Sequence, residues 1–209
     1  TSLSNVYCYE DLIDSHSDDL TWPEFDENTA SSLCYTSGTT GNPKGALFSH
    51  RSTVIHAYAS ALPDVLHMGE GEIILPVVPM FHVNAWGIPY GATMVGAKLV
   101  FPGPKLDGAS IHELLVDEDV TFAAGVPTIW LMLLAHWRET STRAPALKRT
   151  VIGGSACPES MIREFQDDYG VEVRHAWGMT EMSPLGTVSI PKPSMTDEPT
   201  RLRKQVKQG

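Results

Sequence analysis

Ten residues, Thr36-Ser37-Gly38-Thr39-Thr40-Gly41-Asn42-Pro43-Lys44-Gly45, hold three glycines, four hydroxyl side chains and one lysine. Glycines free the backbone to turn, so that its N–H groups converge on an anion. The hydroxyls add donors and Lys44 adds a mobile positive charge, so the stretch suits a polyphosphate. A Walker A loop fits poorly. Counted from Gly38, Pro43 stands where the second glycine belongs, and Gly45 where Ser or Thr would hold magnesium. A plain Gly/Ser/Thr surface turn is the bland reading, yet such a turn needs neither this many residues of one kind nor a terminal lysine. Apolar Leu33-Cys34-Tyr35 precedes the loop and a helical run opens at Ser49. The motif is therefore expected at a strand-to-helix junction, where anions bind.

Three further stretches carry usable groups. Ala176-Trp177-Gly178-Met179-Thr180-Glu181 offers a flat ring that suits a purine, a hydroxyl that can donate to an oxyanion, and a carboxylate fit for a hard cation. Taken alone it reads as a strand end with a core tryptophan and a surface glutamate. Pro79-Met80-Phe81-His82-Val83-Asn84-Ala85-Trp86-Gly87 supplies His82, able to hydrogen-bond a carboxylate or a developing negative charge. Trp86 reads equally well as core. Gly153-Gly154-Ser155-Ala156 presents backbone that a ligand can approach closely. A serine-hydrolase elbow, G-x-S-x-G, fails there because position 157 is Cys. Zinc chemistry is unsupported: His112-Glu113 lacks a second histidine at the needed spacing, and there is no C-x-x-C pair.

Tyr35 to Gly45 resembles the signature loop of adenylate-forming (AMP-binding) enzymes: acyl-CoA synthetases, peptide-synthetase adenylation domains and luciferases. The later segments agree with that family in order, over roughly residues 31–190, and are most similar to bacterial medium- and long-chain fatty-acyl-CoA synthetases. The resemblance implies a nucleotide site made by Thr36, Ser37, Gly38, Thr39, Thr40, Gly41 and Lys44 together with Gly153, Gly154 and Ser155. Ala176, Trp177, Gly178, Met179 and Thr180 complete it, with Trp177 stacking on adenine. It implies catalytic roles for Lys44, His82, Thr180 and Glu181, and a Mg²⁺ held by Glu181 with Thr40. It implies an acyl pocket bordered by His82, Trp86, Val126, Thr128 and Gly154. ATP, a fatty acid and CoA are the implied substrates, and a homodimer is the implied assembly. In such enzymes a carboxylate attacks the α-phosphorus of ATP to give acyl-AMP, and the CoA thiol then displaces AMP. Aryl- or amino-acid adenylation and a stand-alone nucleotide-binding module or pseudoenzyme are the competing readings.

Alternating elements must carry these groups. Residues 1–30 read as an irregular lead-in with a short element near Tyr7–Leu12. Ser32–Tyr35, Ile73–Val78, Lys98–Phe101, Val120–Ala124, Thr150–Ile152 and Val171–His175 read as strands. Ser49 to about Leu62, Asn84–Val95, Ser110–Asp117, Thr128–Arg138 and Pro158–Tyr169 read as helices, with Ser49 and Pro127 at helix starts. This predicts an α/β fold: a mostly parallel sheet flanked by helices on both faces, with ligands gathered at the carboxyl ends of its strands. The organisation expected is a lead-in over 1–30, a nucleotide- and acyl-binding core over 31–190, and a linker with a basic tail over 191–209.

Composition narrows the class further. In 209 residues the apolar fraction of 42% is ample for a core. The net charge is −10, and eight of the 25 acids precede Lys44, where none of the 15 Lys and Arg residues lies. That balance speaks against nucleic acid, which needs a basic face. No apolar run is long enough for a transmembrane helix. Cys8, Cys34 and Cys157 are odd in number and scattered, as expected of free thiols in the cytoplasm. The chain opens on Thr1, and the ribose-gripping aspartate and distal lysine that the resemblance implies have no match before Gly209. A truncated ligase that does not complete ligation alone is therefore expected.

Overall fold

The computed structural model describes residues 6–38 and 41–208. After a short exposed helix, α1 (Tyr9–Asp14), the chain forms β1 (Ala30–Thr36) and β2 (Lys44–Ser49), then α2 (His50–Ala61). The rest alternates: β3 (Ile73–Pro76), a single turn α3 (Val83–Trp86), α4 (Ile88–Val95), β4 (Lys98–Leu99), α5 (Gly108–Asp117), β5 (Phe122–Gly125) and α6 (Pro127–Thr140). β6 (Arg149–Ile152), α7 (Glu159–Arg163), β7 (Glu172–Gly178), β8 (Leu185–Ser189) and α8 (Glu198–Gln205) complete it.

The main sheet runs β4-β3-β5-β6-β7-β8. Every pair is parallel except β7–β8 at the edge. Each parallel step needs a crossover, which the intervening helices supply. Alternate side chains of the strands point to opposite faces. On one face Leu75, Ala123, Ile152 and Val173 meet the apolar stripe of α6 (Ile129, Trp130, Leu133, Leu134, Trp137) together with Ile111, Leu115 and Phe165. On the other, Ile74, Phe122, Ala124, Val151 and Ala176 meet Ile88 and Ala92 of α4 and the loop residues Leu66 and Met68. The expected two-faced α/β architecture is present. Among the described residues no helix is long and apolar enough to cross a membrane.

Two local expectations need correction. The Thr36–Gly45 loop is not a strand-to-helix junction. It is the turn of an antiparallel hairpin in which Thr36 faces Lys44 and Cys34 faces Ala46. Both strands alternate, with Cys34 and Phe48 inward and Leu33, Tyr35 and Leu47 outward, so period-two pairing wins and the helix starts only after β2. Ser49 caps that helix as expected, its hydroxyl accepting from the Ser52 N–H at 3.1 Å. The second correction concerns Asn84–Val95, which is not one helix. Val83, Asn84, Ala85 and Trp86 have φ of 48°, 50°, 50° and 60°, a left-handed turn that ends at Gly87 before the right-handed α4. The edge strand β8, rich in small and polar residues, had no strand signature of its own. The tail is more than a linker: Leu202 of α8 joins the main core and Gln205 is buried.

Two buried arginines fix the loop between α2 and β3. Arg149 donates to the Leu66 and His67 carbonyls at 3.2 and 2.6 Å and pairs with Glu72 at 2.9 Å. Arg174 donates to the Pro63 and Val65 carbonyls at 3.1 and 2.6 Å. Burial alone would raise the Glu72 carboxyl, but hydrogen bonds from Thr121 and Arg149 outweigh it and hold it below its usual range. Removing one partner of a buried pair leaves the other charge uncompensated, so Arg149→Ala is expected to lose about 3–5 kcal/mol in denaturant unfolding. The opposite sign is expected at Thr150, whose hydroxyl is fully buried with no hydrogen-bond partner among the described residues. Thr150→Val keeps the shape and should gain about 1 kcal/mol, raising Tm by roughly 2–4 °C in a calorimetric scan.

Candidate functional site

A cavity of about 200 Å³ opens beyond the carboxyl ends of β6 and β7. It is lined by His82, just before the left-handed turn, and Trp86 within it, Gly153 and Gly154 after β6, and Ala176, Trp177, Gly178, Met179 and Thr180 from β7 and the turn that follows. Leu66, Val83, Val151, Pro184 and Leu185 supply the remaining, apolar wall. Pockets that enclose a whole drug-sized ligand measure about 300–1,000 Å³, so this one has room for only part of such a molecule.

Missing side chains shape it. A Cβ on Gly153 would lie 3.3 Å from the Trp86 ring and 3.1 Å from the Ala176 carbonyl oxygen. The indole therefore sits directly over bare backbone. Gly178 is tighter still, because its Cβ would come within 2.3 Å of the Pro184 carbonyl oxygen. That approach lets the Met179 N–H donate to Pro184 at 3.0 Å, closing the turn that presents Thr180 and Glu181. Trp177 lies against Gly186 of β8, where a Cβ would meet its ring at 2.8 Å. The indole stays 39% exposed, leaving surface for a ligand to stack on.

Not every expected residue lines the cavity. Glu181 is exposed just past its rim, and Lys44 is exposed at the start of β2. Ser155 and Thr128 are exposed outside it, while Val126 reaches it indirectly, its Cγ1 lying 3.1 Å from where a Gly154 Cβ would be. Thr36, Ser37, Gly38 and Gly41 sit on the hairpin, and β1 lies against the turn of Thr180–Met182. Thr39 and Thr40 lie outside the described residues. No group of three or more metal-ligating side chains occurs among the described residues. A lone carboxylate such as Glu181 still fits Mg²⁺, which takes one or two carboxylates and fills its remaining positions with phosphate oxygens and water.

Two histidines, His175 buried and His56 half-buried, escaped the sequence reading and brace the cavity from behind. His56 of α2 accepts the Leu185 N–H at Nε2 (3.0 Å), so its proton rests on Nδ1, 3.4 Å from Ser60 Oγ. His175 of β7 accepts the Cys157 N–H at Nε2 (3.1 Å), and its Nδ1 donates to the Gln205 carbonyl (3.2 Å). It thereby ties the Gly153–Cys157 loop to α8. Burial lowers the pKa of both rings, outweighing for His175 the hydrogen bonds that favour its charged form. Burial also pushes the Cys157 thiol up to about 12, so it is no nucleophile at neutral pH.

A glycine-rich hairpin turn lies beside a cavity with an exposed indole, a hydroxyl and a carboxylate, at the carboxyl edge of an α/β sheet where ligands of such folds gather. The chain belongs to the AMP-binding enzyme family, whose pattern matches residues 4–207. It is 61% identical over 189 residues to a medium-chain-fatty-acid–CoA ligase of Ectopseudomonas oleovorans, covering 90% of this chain and 35% of that protein. It is 59% identical to a 3-methylmercaptopropionyl-CoA ligase of Ruegeria lacuscaerulensis, covering 88% of this chain and 34% of that one. The inhibitor-bound N-terminal domain of FACL13 from Mycobacterium tuberculosis superposes with a TM-score of 0.77 at 27% identity, covering 87% of this chain and 44% of that one. The chain spans about a third of the length of the curated relatives it matches.

The histidines set a pH response. A ring whose folded pKa is depressed stays neutral in the fold while the unfolded chain takes up a proton near pH 6.5, so stability is complete above that value and falls as pH drops below it. Thermal melts from pH 8 to 5 should show this decline, and His56→Gln, which keeps an acceptor for Leu185 but cannot titrate, should make it shallower.

Proposed function

We propose that this chain supplies the nucleotide and acyl cradle of an ATP-dependent fatty acid–CoA ligase acting in the cytoplasm. The observation that carries the reading is convergence. Segments far apart in sequence, holding His82 and Trp86, Gly153 and Gly154, and Trp177 and Thr180, meet around one cavity, and the hairpin bearing Lys44 lies against the same Thr180–Met182 turn.

In this reading the adenine stacks on Trp177, and the backbone of the Thr36–Gly45 turn with Lys44 holds the phosphates. The apolar wall takes the acyl chain, and His82 hydrogen-bonds its carboxylate. A carboxylate oxygen bonds to the α-phosphorus as the bond to pyrophosphate breaks. The CoA thiol, losing its proton, then bonds to the acyl carbon, and AMP departs with the electron pair of the broken C–O bond. Since the reacting groups are anions, positioning and charge neutralisation supply most of the acceleration, with Thr180 donating to an equatorial oxygen. Glu181, with Thr40, is where a Mg²⁺ would sit, and such an ion would neutralise phosphate charge there.

Support for a fatty acid comes from Leu66, Val83, Val151 and Leu185 in the wall and from the kinship with a relative named for medium-chain fatty acids. Equilibrium titration of the purified chain with ATP and with a non-hydrolysable acyl-AMP analogue tests the reading. Both are expected to bind, the analogue tighter. Trp177→Ala should weaken both by roughly 5- to 150-fold, as loss of one base-stacking surface predicts, while Trp22→Ala, in the exposed lead-in, should change neither. Failure of the chain to bind any nucleotide, or binding indifferent to Trp177, would overturn the assignment; tighter binding of an aryl- than of an alkyl-acyl analogue would move the substrate class to aryl acids.

A further inference from the structure

Four successive residues, Val83 to Trp86, hold left-handed backbone. Only Gly, and less readily Asn or Asp, adopts that conformation at little cost, and each other residue pays about 1–2 kcal/mol. Of the four, only Asn84 belongs to the tolerant set. A turn so unfavourable persists only where its surroundings over-determine it, and the two residues flanking its centre, His82 and Trp86, both line the cavity.

What holds the turn lies on the hairpin. Asn84 Nδ2 donates to Ser32 Oγ at 2.9 Å, and the Cys34 thiol donates to Asn84 Oδ1 at 3.6 Å. Both partners belong to β1, on the face turned to the body of the protein, and both ends of the Asn84 amide are engaged. Beneath them Val83 packs with Cys34 and Phe48 in a small cluster separate from both faces of the main sheet. The hairpin is otherwise tied to α2 by the Ser31–Thr53 hydroxyl pair at 3.0 Å. Two residues beyond Cys34, β1 ends in the Thr36–Gly45 turn.

We propose that Asn84 is a positioning residue. It clamps the strained turn carrying His82 and Trp86 to the strand leading into the phosphate-binding turn, so that the two halves of the site move as one body. Asn suits both demands at once, tolerating φ near +50° and offering a donor and an acceptor 50 residues from its partner on β1. The consequence for ligands rests on the reading of the cavity given above; the clamp itself does not.

Amide hydrogen exchange across residues 83–87 tests the clamp, since the Ala85 and Gly87 amides are hydrogen-bonded within the turn. Ser32→Ala changes only the distant strand, yet should speed exchange at 83–87 by about fivefold or more, the loss of one hydrogen bond. Asn84→Gly keeps the left-handed freedom, removes the clamp, and should act alike, with no further effect when combined with Ser32→Ala. Thr53→Ala, which loosens the hairpin from α2 instead, should leave 83–87 unchanged. In the second arm, saturating ATP should alter protection at 83–87 in the unaltered chain and not in Asn84→Gly. Unchanged exchange in Ser32→Ala, or an equal rise in Thr53→Ala, overturns the clamp. ATP that binds without altering 83–87 overturns the coupling between the halves. ATP that does not bind at all sinks the ligase reading, while the first arm still decides the clamp.

Discussion

The close approach of side chains to bare backbone at the carboxyl edge of the sheet is the constraint on which the rest depends. Trp86 rests over Gly153, Trp177 over Gly186, and the Pro184 carbonyl sits where Gly178 would carry a Cβ. Interiors are packed almost without voids, so a single methyl at any of these positions displaces an indole or a strand. The cavity exists because four unrelated segments are each allowed to come nearer than side chains normally permit.

Behind that edge, the protein uses buried polar groups as fixings rather than as chemistry. Arg149 and Arg174 take up backbone carbonyls of the loop that delivers Leu66 to the cavity wall. His56 and His175 accept backbone N–H groups from the segments that close the cavity on two sides. A buried polar group without a partner is costly, and each of these groups finds its partner only when the loops are in place. The same interactions that stabilise the fold therefore define the shape of the site, and the neutral imidazoles that do so make acid a threat to it.

The hairpin gives the site its second half. Standing apart from the main sheet, it meets the body through α2, the Val83 cluster, the Asn84 amide and the turn of Thr180–Met182. A two-stranded ribbon needs such contacts to be held in place, since an isolated hairpin is marginal in water. Two of those contacts, at Val83 and Asn84, fall on the segment that also places His82 and Trp86.

Chemistry-bearing residues declared themselves locally. The Gly/Ser/Thr run with Lys44, the Trp177–Glu181 box and the paired glycines at 153–154 are legible because each needs its residue types in a fixed order, and strand-helix alternation follows from periods of 2 and 3.6 written in the apolar residues. Other features depended on partners distant in sequence. Lys44–Ser49 carries no strand signature in the sequence, and only its pairing with β1 turns the loop into a hairpin rather than a helix mouth. β8 is a strand because β7 offers it an edge, and Val83–Trp86 is left-handed because β1 and the sheet hold it there, against the preference of Val, Ala and Trp themselves. His56 and His175 carry no local signature, since what makes them matter is a backbone N–H 129 and 18 residues away. Sequence determines what a residue can donate, accept or fill; which group receives it is settled by long-range packing, whose energy no local window contains.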